Sequence, residues 1–562
     1  VGKKAYWLFL SMVLALGLVL TACNGGGEDV DTEGGDDADP AGEDEGEDAA
    51  EDENGEAAGE PQEGGEIIIG QPGEPNNLHS AYASDTQSTD IVRMIHAGVL
   101  RYNEDMEMEP DVAAEMPEVS EDGLTYTIEL RDDVYFHDGE QLTADDVVFT
   151  YEVFLDDDYT GNRITQFDRV DHIEATDEFE VTIELSEPDA ALEASALGFE
   201  IMPEHILGDV AADEQEDHEF STSDAVVGAG PLQLAEWDHG TSLTLEAHDE
   251  YHGEGPYLDT VTLRLAEDAN AILAMLQAGE VDHANIRPQD LETAEAIDGV
   301  TVVAETGYNY NYIGWNHDRP PFDDPGVRRA MTMAIDREAI IDGVLQGHAE
   351  IAHFPHHPMS WAYSDDIEEV PYDPEGAVEL LEEAGFEQNE EGQMEYEGEP
   401  FSFELLTNQE SHARVDWVVV VQDMLADIGI DVQTDTMEFG AYLDRIQPPN
   451  WDFDAIAGAW SLGIDPDPEP LWHSDNYEQG QNNIHYNSEE FDELAEDNRS
   501  FVDQDERAEA IQAAYAQVTE DQAYTFMYYP DIHQAHIDEI QGFQMSPRGD
   551  YFRIEEWWVE EE

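Results

Sequence analysis

The sequence predicts an α/β fold with mixed sheets in at least two lobes, and three observations point there. The 562 residues hold a single cysteine, so a chain of this length must rest on apolar cores rather than on disulfides. After residue 66, short alternating strands, one pair closing as a hairpin, fill much of the first half. From about Tyr308 onward strands and helices alternate, as in units where helices cover a sheet. No internal repeat is visible.

The elements follow in order. Residues 66–70 (EIIIG) read as the first strand, followed by a polar loop over 71–89 and a short helix over 91–100. Residues 124–130 (LTYTIEL) alternate as a half-buried strand does. Thr143 reads as the N-cap of a helix over 144–154 with acids in its first turn. Residues 181–185 form another strand, and 231–245 a hairpin turning at Asp238-His239-Gly240. A strand over 261–265 leads into a helix over 269–278, and further helices are expected over 326–347, 374–384 and 415–428.

The N-terminus carries its own signals. Lys3 and Lys4 precede an apolar run over 6–20, and Leu20-Thr21-Ala22-Cys23 follows. A cationic end, a short apolar helix and small residues before a cleavage point describe a secretory signal peptide over 1–22. As a helix the run would reach about 23 Å, short of the ~30 Å needed to span hydrocarbon. Leu-Thr-Ala-Cys also resembles a bacterial lipobox, which implies acylation of Cys23 and a lipid anchor on the outer face of the cytoplasmic membrane. Residues 23–65 are rich in Gly, Ala, Asp and Glu and lack aromatic or basic side chains. Such a stretch buries too little apolar surface to offset its ordering entropy, so it is expected to be a disordered tether.

Acidity extends through the whole chain, with 136 Asp and Glu against 19 Lys and Arg. Beyond Lys4 there is no lysine; the remaining 17 basic residues are all arginine. Nucleic acid and anionic lipid surfaces are poor partners for such a field. At molar salt the Debye length falls to about 3 Å, so the composition fits a solvated surface adapted to high salt, a halophilic character.

Residues 122–151 (DGLTYTIELRDDVYFHDGEQLTADDVVFTY) resemble the signature of the peptide/nickel, family 5, solute-binding proteins of ATP-binding-cassette importers. Further landmarks follow in order: Gly228-Ala229-Gly230-Pro231, GPYLD at 255–259, ANAILAMLQAGEVD at 269–282, IGWN at 313–316, DPEGAVELLEEAGF at 373–386 and WSLGIDPDP at 460–468. The resemblance covers everything from residue 66 onward. It implies a two-lobed periplasmic-binding-protein-like fold, hinged, with an additional smaller domain. By analogy, lobe I combines 66–103, 228–305 and 525–562, the additional domain is 104–227, and lobe II is 306–524. It implies a monomer that is no enzyme, needs no cofactor, captures an oligopeptide outside the cell and delivers it to a permease and ATPase complex.

Most of these motifs read as scaffold. Asp138-Gly139 is a turn, and Arg328, Arg329 and Arg337, beside Asp336, read as ion-paired supports. The candidate ligand-binding residues are aromatic or polar groups at strand ends. Tyr310, Tyr312, Trp315 and Asn316 lie on or beside one strand, and Trp460 opens a loop that in peptide-binding relatives contributes to the site. Some relatives place an Asp three residues after this Trp, where it pairs with the peptide amine. Here that position is Gly463, which leaves Asp465 as the replacement. Trp472, His473, Asn482 and Asn483 follow as further candidates. Two other functions compete. His353, His356 and His357 form a compact imidazole cluster that suits nickel or a metal chelate. A secreted hydrolase finds no support in a Gly-x-Ser-x-Gly or His-Glu-x-x-His motif, since the chain has neither.

Overall fold

The computed structural model describes residues 60–560, apart from 157, 162–163, 368, 478–480 and 497. Cys23, the apolar run and most of the acidic stretch lie outside that range. A twelve-stranded mixed sheet organises the described chain. Its order runs Asp431–Met437, Ser402–Asn408, Ala455–Ser461, Asn309–Trp315, Tyr524–Ile537, His283–Asn285, Glu66–Pro72, Thr260–Ala266, Ser242–Ala247 and Leu232–Asp238. Val300–Thr306 and Ala349–Ile351 also pair with the long strand Tyr524–Ile537. That strand joins the two halves: its first residues lie antiparallel to Asn309–Trp315 and its last to His283–Asn285.

A separate four-stranded antiparallel sheet lies within 118–185, and Ala144–Leu155 packs on it around Ile128, Val147, Phe154 and Ile183. The helix begins at the expected place. Thr143 and Asp146 form a reciprocal capping box, the arrangement that satisfies two orphan N–H groups at once. The helix Ala269–Ala278 starts on the Asp268 side chain and stops at Gly279, whose φ of 66° is the left-handed conformation a glycine adopts without strain.

Strand Asn309–Trp315 distributes its residues by period two. Tyr310 and Tyr312 enter one core with Trp472, Tyr524 and Phe526, whereas Ile313 and Trp315 enter another with Phe322, Phe403 and Trp417.

Several local expectations change. The helix expected over 326–347 is two helices, Pro325–Met333 and Arg337–Val344, because the Asp336 side chain accepts the Ala339 N–H and starts the chain afresh. The short helix expected over 91–100 is Thr86–Ile95, started by Asp85 inside the stretch read as loop. The one expected from 415 begins at His412, capped by Ser411. Arg328 and Arg337 hydrogen-bond main-chain carbonyls rather than acids: Arg328 reaches Phe322, Asp521 and Gln522, and Arg337 reaches Ala352, Val370 and Phe526. Burial pulls both guanidinium groups down to about 10.

Candidate functional site

The chain segment from Trp460 to Asp467 divides into an aromatic half and a charged half. Strands Asn309–Trp315 and Ala455–Ser461 place Tyr310 opposite Trp460 and Tyr312 opposite Gly458. A Cβ at Gly458 would come within 2.7 Å of the Tyr312 hydroxyl, so the glycine lets that ring lie across the strand. Tyr312 stacks on Tyr524 with centroids 4.0 Å apart and lies parallel to Trp460 at 6.3 Å. The Trp460 indole N–H donates to the Tyr524 hydroxyl at 3.2 Å, and Trp472 packs against the same tyrosine at 4.4 Å. Tyr310 and Trp472 are fully buried, whereas Trp460 is half-buried at the rim of the cluster. The hydroxyls of Tyr308 and Tyr310 and the indole N–H of Trp472 are buried without a hydrogen-bond partner among the described residues.

The next residues cross to charge. The Leu462 N–H donates to the Tyr308 carbonyl at 3.0 Å, and its own carbonyl accepts from Arg548. Both Asp465 carboxylate oxygens are held by Arg507, at 2.5 and 2.7 Å. The carboxylate expected to meet a ligand amine is held in this structure by a cation of the chain itself, carried on helix Gln504–Glu520. Arg507 also lies over the Trp361 ring at 5.5 Å and donates to the Ala190 carbonyl at 3.2 Å. Beside it, Arg499 makes a two-pronged bond to Asp189 at 2.9 and 2.6 Å, and the Ala190 N–H donates to the Arg499 carbonyl at 2.8 Å. Asp467 accepts from Asn498 at 2.9 Å and stands 3.8 Å from Arg499. Burial, then the neighbouring Asp465, pushes its carboxyl up to about 6. A cavity of about 300 Å³ opens along this seam, between residues of 106–194 and those of 361–507.

The remaining candidates are structural in their contacts. Trp315 is fully buried on the far side of its strand and donates to Thr525 Oγ1 at 3.2 Å. Asn316 bridges the Phe453 carbonyl and the Asp318 N–H at the strand end. Asn482 gives its amide to the carbonyls of Trp472, His473 and Tyr486, which pins the loop. His473 Nδ1 accepts from the Asp475 N–H, and Asn483 is buried beside them. His356 and His357 are buried against Tyr308, and among the described residues they do not meet a third ligating group. Sequence reasoning missed Tyr524, Arg499 and Arg507. An isolated arginine in so acidic a chain was the available signal for the last two.

Residues 107–483 match the pattern described as bacterial extracellular solute-binding proteins, family 5 middle. This chain belongs to that family. It is 37% identical over 562 residues to the oligopeptide-binding protein AppA of Bacillus subtilis, with 99% of each chain covered. The structure of that AppA in complex with a nonapeptide is similar at a TM-score of 0.76 and 38% identity, covering 89% of this chain and 100% of the other. The structure of NikZ from Campylobacter jejuni in complex with Ni(L-His) is similar at a TM-score of 0.76 and 25% identity, covering 88% and 99%. The family-5 architecture makes the mixed sheets here parts of a two-lobed binding-protein fold, and the relatives are substrate-binding proteins rather than enzymes.

Proposed function

We propose that this protein captures oligopeptides outside the cell and hands them to the permease of an ATP-binding-cassette importer. The observation that carries the reading is end-to-end similarity to an oligopeptide-binding protein, at 37% identity over 99% of both chains. The site supplies a compatible chemistry. Trp460 offers a half-buried aromatic face backed by Tyr312 and Tyr524, with Tyr310 and Trp472 behind them. An extended peptide held through its main chain, with water in roomy side-chain pockets, is bound with little dependence on sequence. Contacts to both lobes then favour closure about the hinge. Segments 104–227 and 306–524 already meet through Arg499, Arg507 and Asp189, which supports a charged seam as part of the closed state.

Titration calorimetry with a nonapeptide set, against dipeptides and Ni(L-His) as controls, tests the function. Nonapeptide binding with little dipeptide or nickel-chelate binding is expected; the reverse order would overturn the reading. Anchoring by Cys23 belongs to the same proposal. Cys23→Ser is expected to shift the protein from the membrane fraction to the medium, and an unchanged fractionation removes the anchor.

A further inference from the structure

Away from the aromatic face, the long strand Tyr524–Ile537 carries Asp531 and His533 two positions apart, so both side chains leave the same face of the sheet. His348 approaches them from the turn after helix Arg337–Val344. Left-handed Gln346 and Gly347 (φ 58° and 86°) close that helix, and the Gly347 N–H returns to the Ile341 carbonyl at 3.1 Å. The chain then enters strand Ala349–Ile351, which pairs with residues 528–530 and sets His348 next to Asp531, whose N–H donates to the His348 carbonyl at 3.2 Å. One ligand atom from each of the three side chains lies within 4.8 Å of the others.

The geometry points to a binding site for a divalent first-row cation of the zinc class, held by His348, Asp531 and His533. The His533 Nε2 and His348 Nδ1 atoms are 3.2 Å apart. Two imidazole nitrogens bound to one tetrahedral ion at about 2.0–2.1 Å are separated by about 3.3 Å, so the pair already stands at the spacing of shared ligands. His533 is 5% exposed, and its other ring nitrogen, Nδ1, has no hydrogen-bond partner among the described residues. A direct imidazole–imidazole hydrogen bond is the competing account of the short contact, and zinc titration decides between the two. Glu350 and Glu305 add negative charge around Asp531. Imidazole donors select zinc, cobalt or nickel over magnesium or calcium. The ion would sit where the long strand exchanges one partner, Ala349–Ile351, for another, Val300–Thr306, and would tie the chain on both sides of that exchange.

The test uses the chain from Cys23 onward, freed of metal by chelator and held in molar KCl so that weak carboxylate binding is screened. Zinc is titrated by calorimetry, and cobalt is followed by its visible absorption. We expect one zinc per chain with a dissociation constant in the micromolar range or tighter, and a cobalt band characteristic of imidazole ligation. His348→Ala and Asp531→Asn should each weaken zinc at least tenfold and remove the band, while His353→Ala leaves both unchanged. His348 lies at a partly exposed turn, so its variant is expected to fold even where His533→Ala does not. Absence of stoichiometric zinc binding, or the same affinity and cobalt band in both His348→Ala and Asp531→Asn, overturns the site. No peptide is present, so the result is independent of the transport reading.

Discussion

Two neighbouring stretches of the chain, the strand end at Trp460 and the loop that follows it, are held by opposite physics. At Trp460 the chain is fixed by stacked rings and one neutral hydrogen bond, contacts that mobile ions do not screen as they screen charges. Five residues later it is fixed by Arg507 on Asp465, and beyond that by Arg499 on Asp189. In a protein with so few cations, placing two of them in one seam is a specific expenditure of charge. The stacked rings are contributed by 306–524 and the long strand Tyr524–Ile537. The seam is complete only where 104–227 meets 306–524. Under the proposed function this difference becomes a division of labour, in which the aromatic half would define where ligand lies and the charged half would report on closure.

Breaking the charged half should have the largest effect. Arg507→Ala leaves Asp465 and Asp467 buried beside each other with no guanidinium on Asp465, and removal of one partner of a buried pair costs about 3–5 kcal/mol. Chemical denaturation should show that loss, and a change below about 1 kcal/mol would mean the pair is solvated in solution. The same variant and the wild type, melted from dilute buffer to molar NaCl, also test the acidic surface. Both midpoints should rise with salt, and flat midpoints would remove the salt-adapted reading.

Asp467 sharpens the comparison through pH. Its folded-state carboxyl is raised to about 6 from 3.8, so the folded chain holds this proton more tightly than the unfolded one. The contribution to stability is therefore fully present below about pH 3.8 and is lost as pH rises through about 6. Asp467→Asn keeps an acceptor for Asn498 and removes the penalty. It should stabilise the protein at pH 8 by up to about 3 kcal/mol and leave it unchanged near pH 4. A variant no more stable than wild type at pH 8 would show that Arg499 compensates the charge in full.

On the aromatic side, Trp460→Ala should weaken nonapeptide binding about tenfold, or about 1.4 kcal/mol, with a smaller loss of stability because the ring is only half-buried. Unchanged affinity in a folded variant would place the ligand elsewhere.

Local signals in the sequence located most elements, because capping and periodicity act over a few residues. Thr143 and the alternation of 124–130 required nothing beyond their neighbours. Asp336 was an equally local capping signal, yet it was passed over inside the single helix expected over 326–347. For the site, period two already separated Tyr310 and Tyr312 from Trp315; treating all three as one group ignored it. The Asp465–Arg507 pair was not legible, since its members are 42 positions apart and every acid in the chain is an equal suitor for an arginine.

The smallest expected effect bears on what Asp465 does. If it clamped a ligand's amine, a charge-assisted hydrogen bond would be worth about 1.5–3 kcal/mol, and Asp465→Asn would weaken free-amine peptides while sparing N-acetylated ones. With Arg507 holding both oxygens, that selectivity should be absent. Asp465→Asn should shift the affinities of acetylated and free peptides by the same small factor, while reducing stability less than Arg507→Ala, because the Asn oxygen still accepts one bond. Calorimetry with both peptide forms, supported by melting curves, separates the cases. A tenfold loss confined to free-amine peptides would mean that ligand displaces Arg507 and that the seam opens as the peptide enters. The charged half would then contact ligand directly, and the division between the two halves would fall.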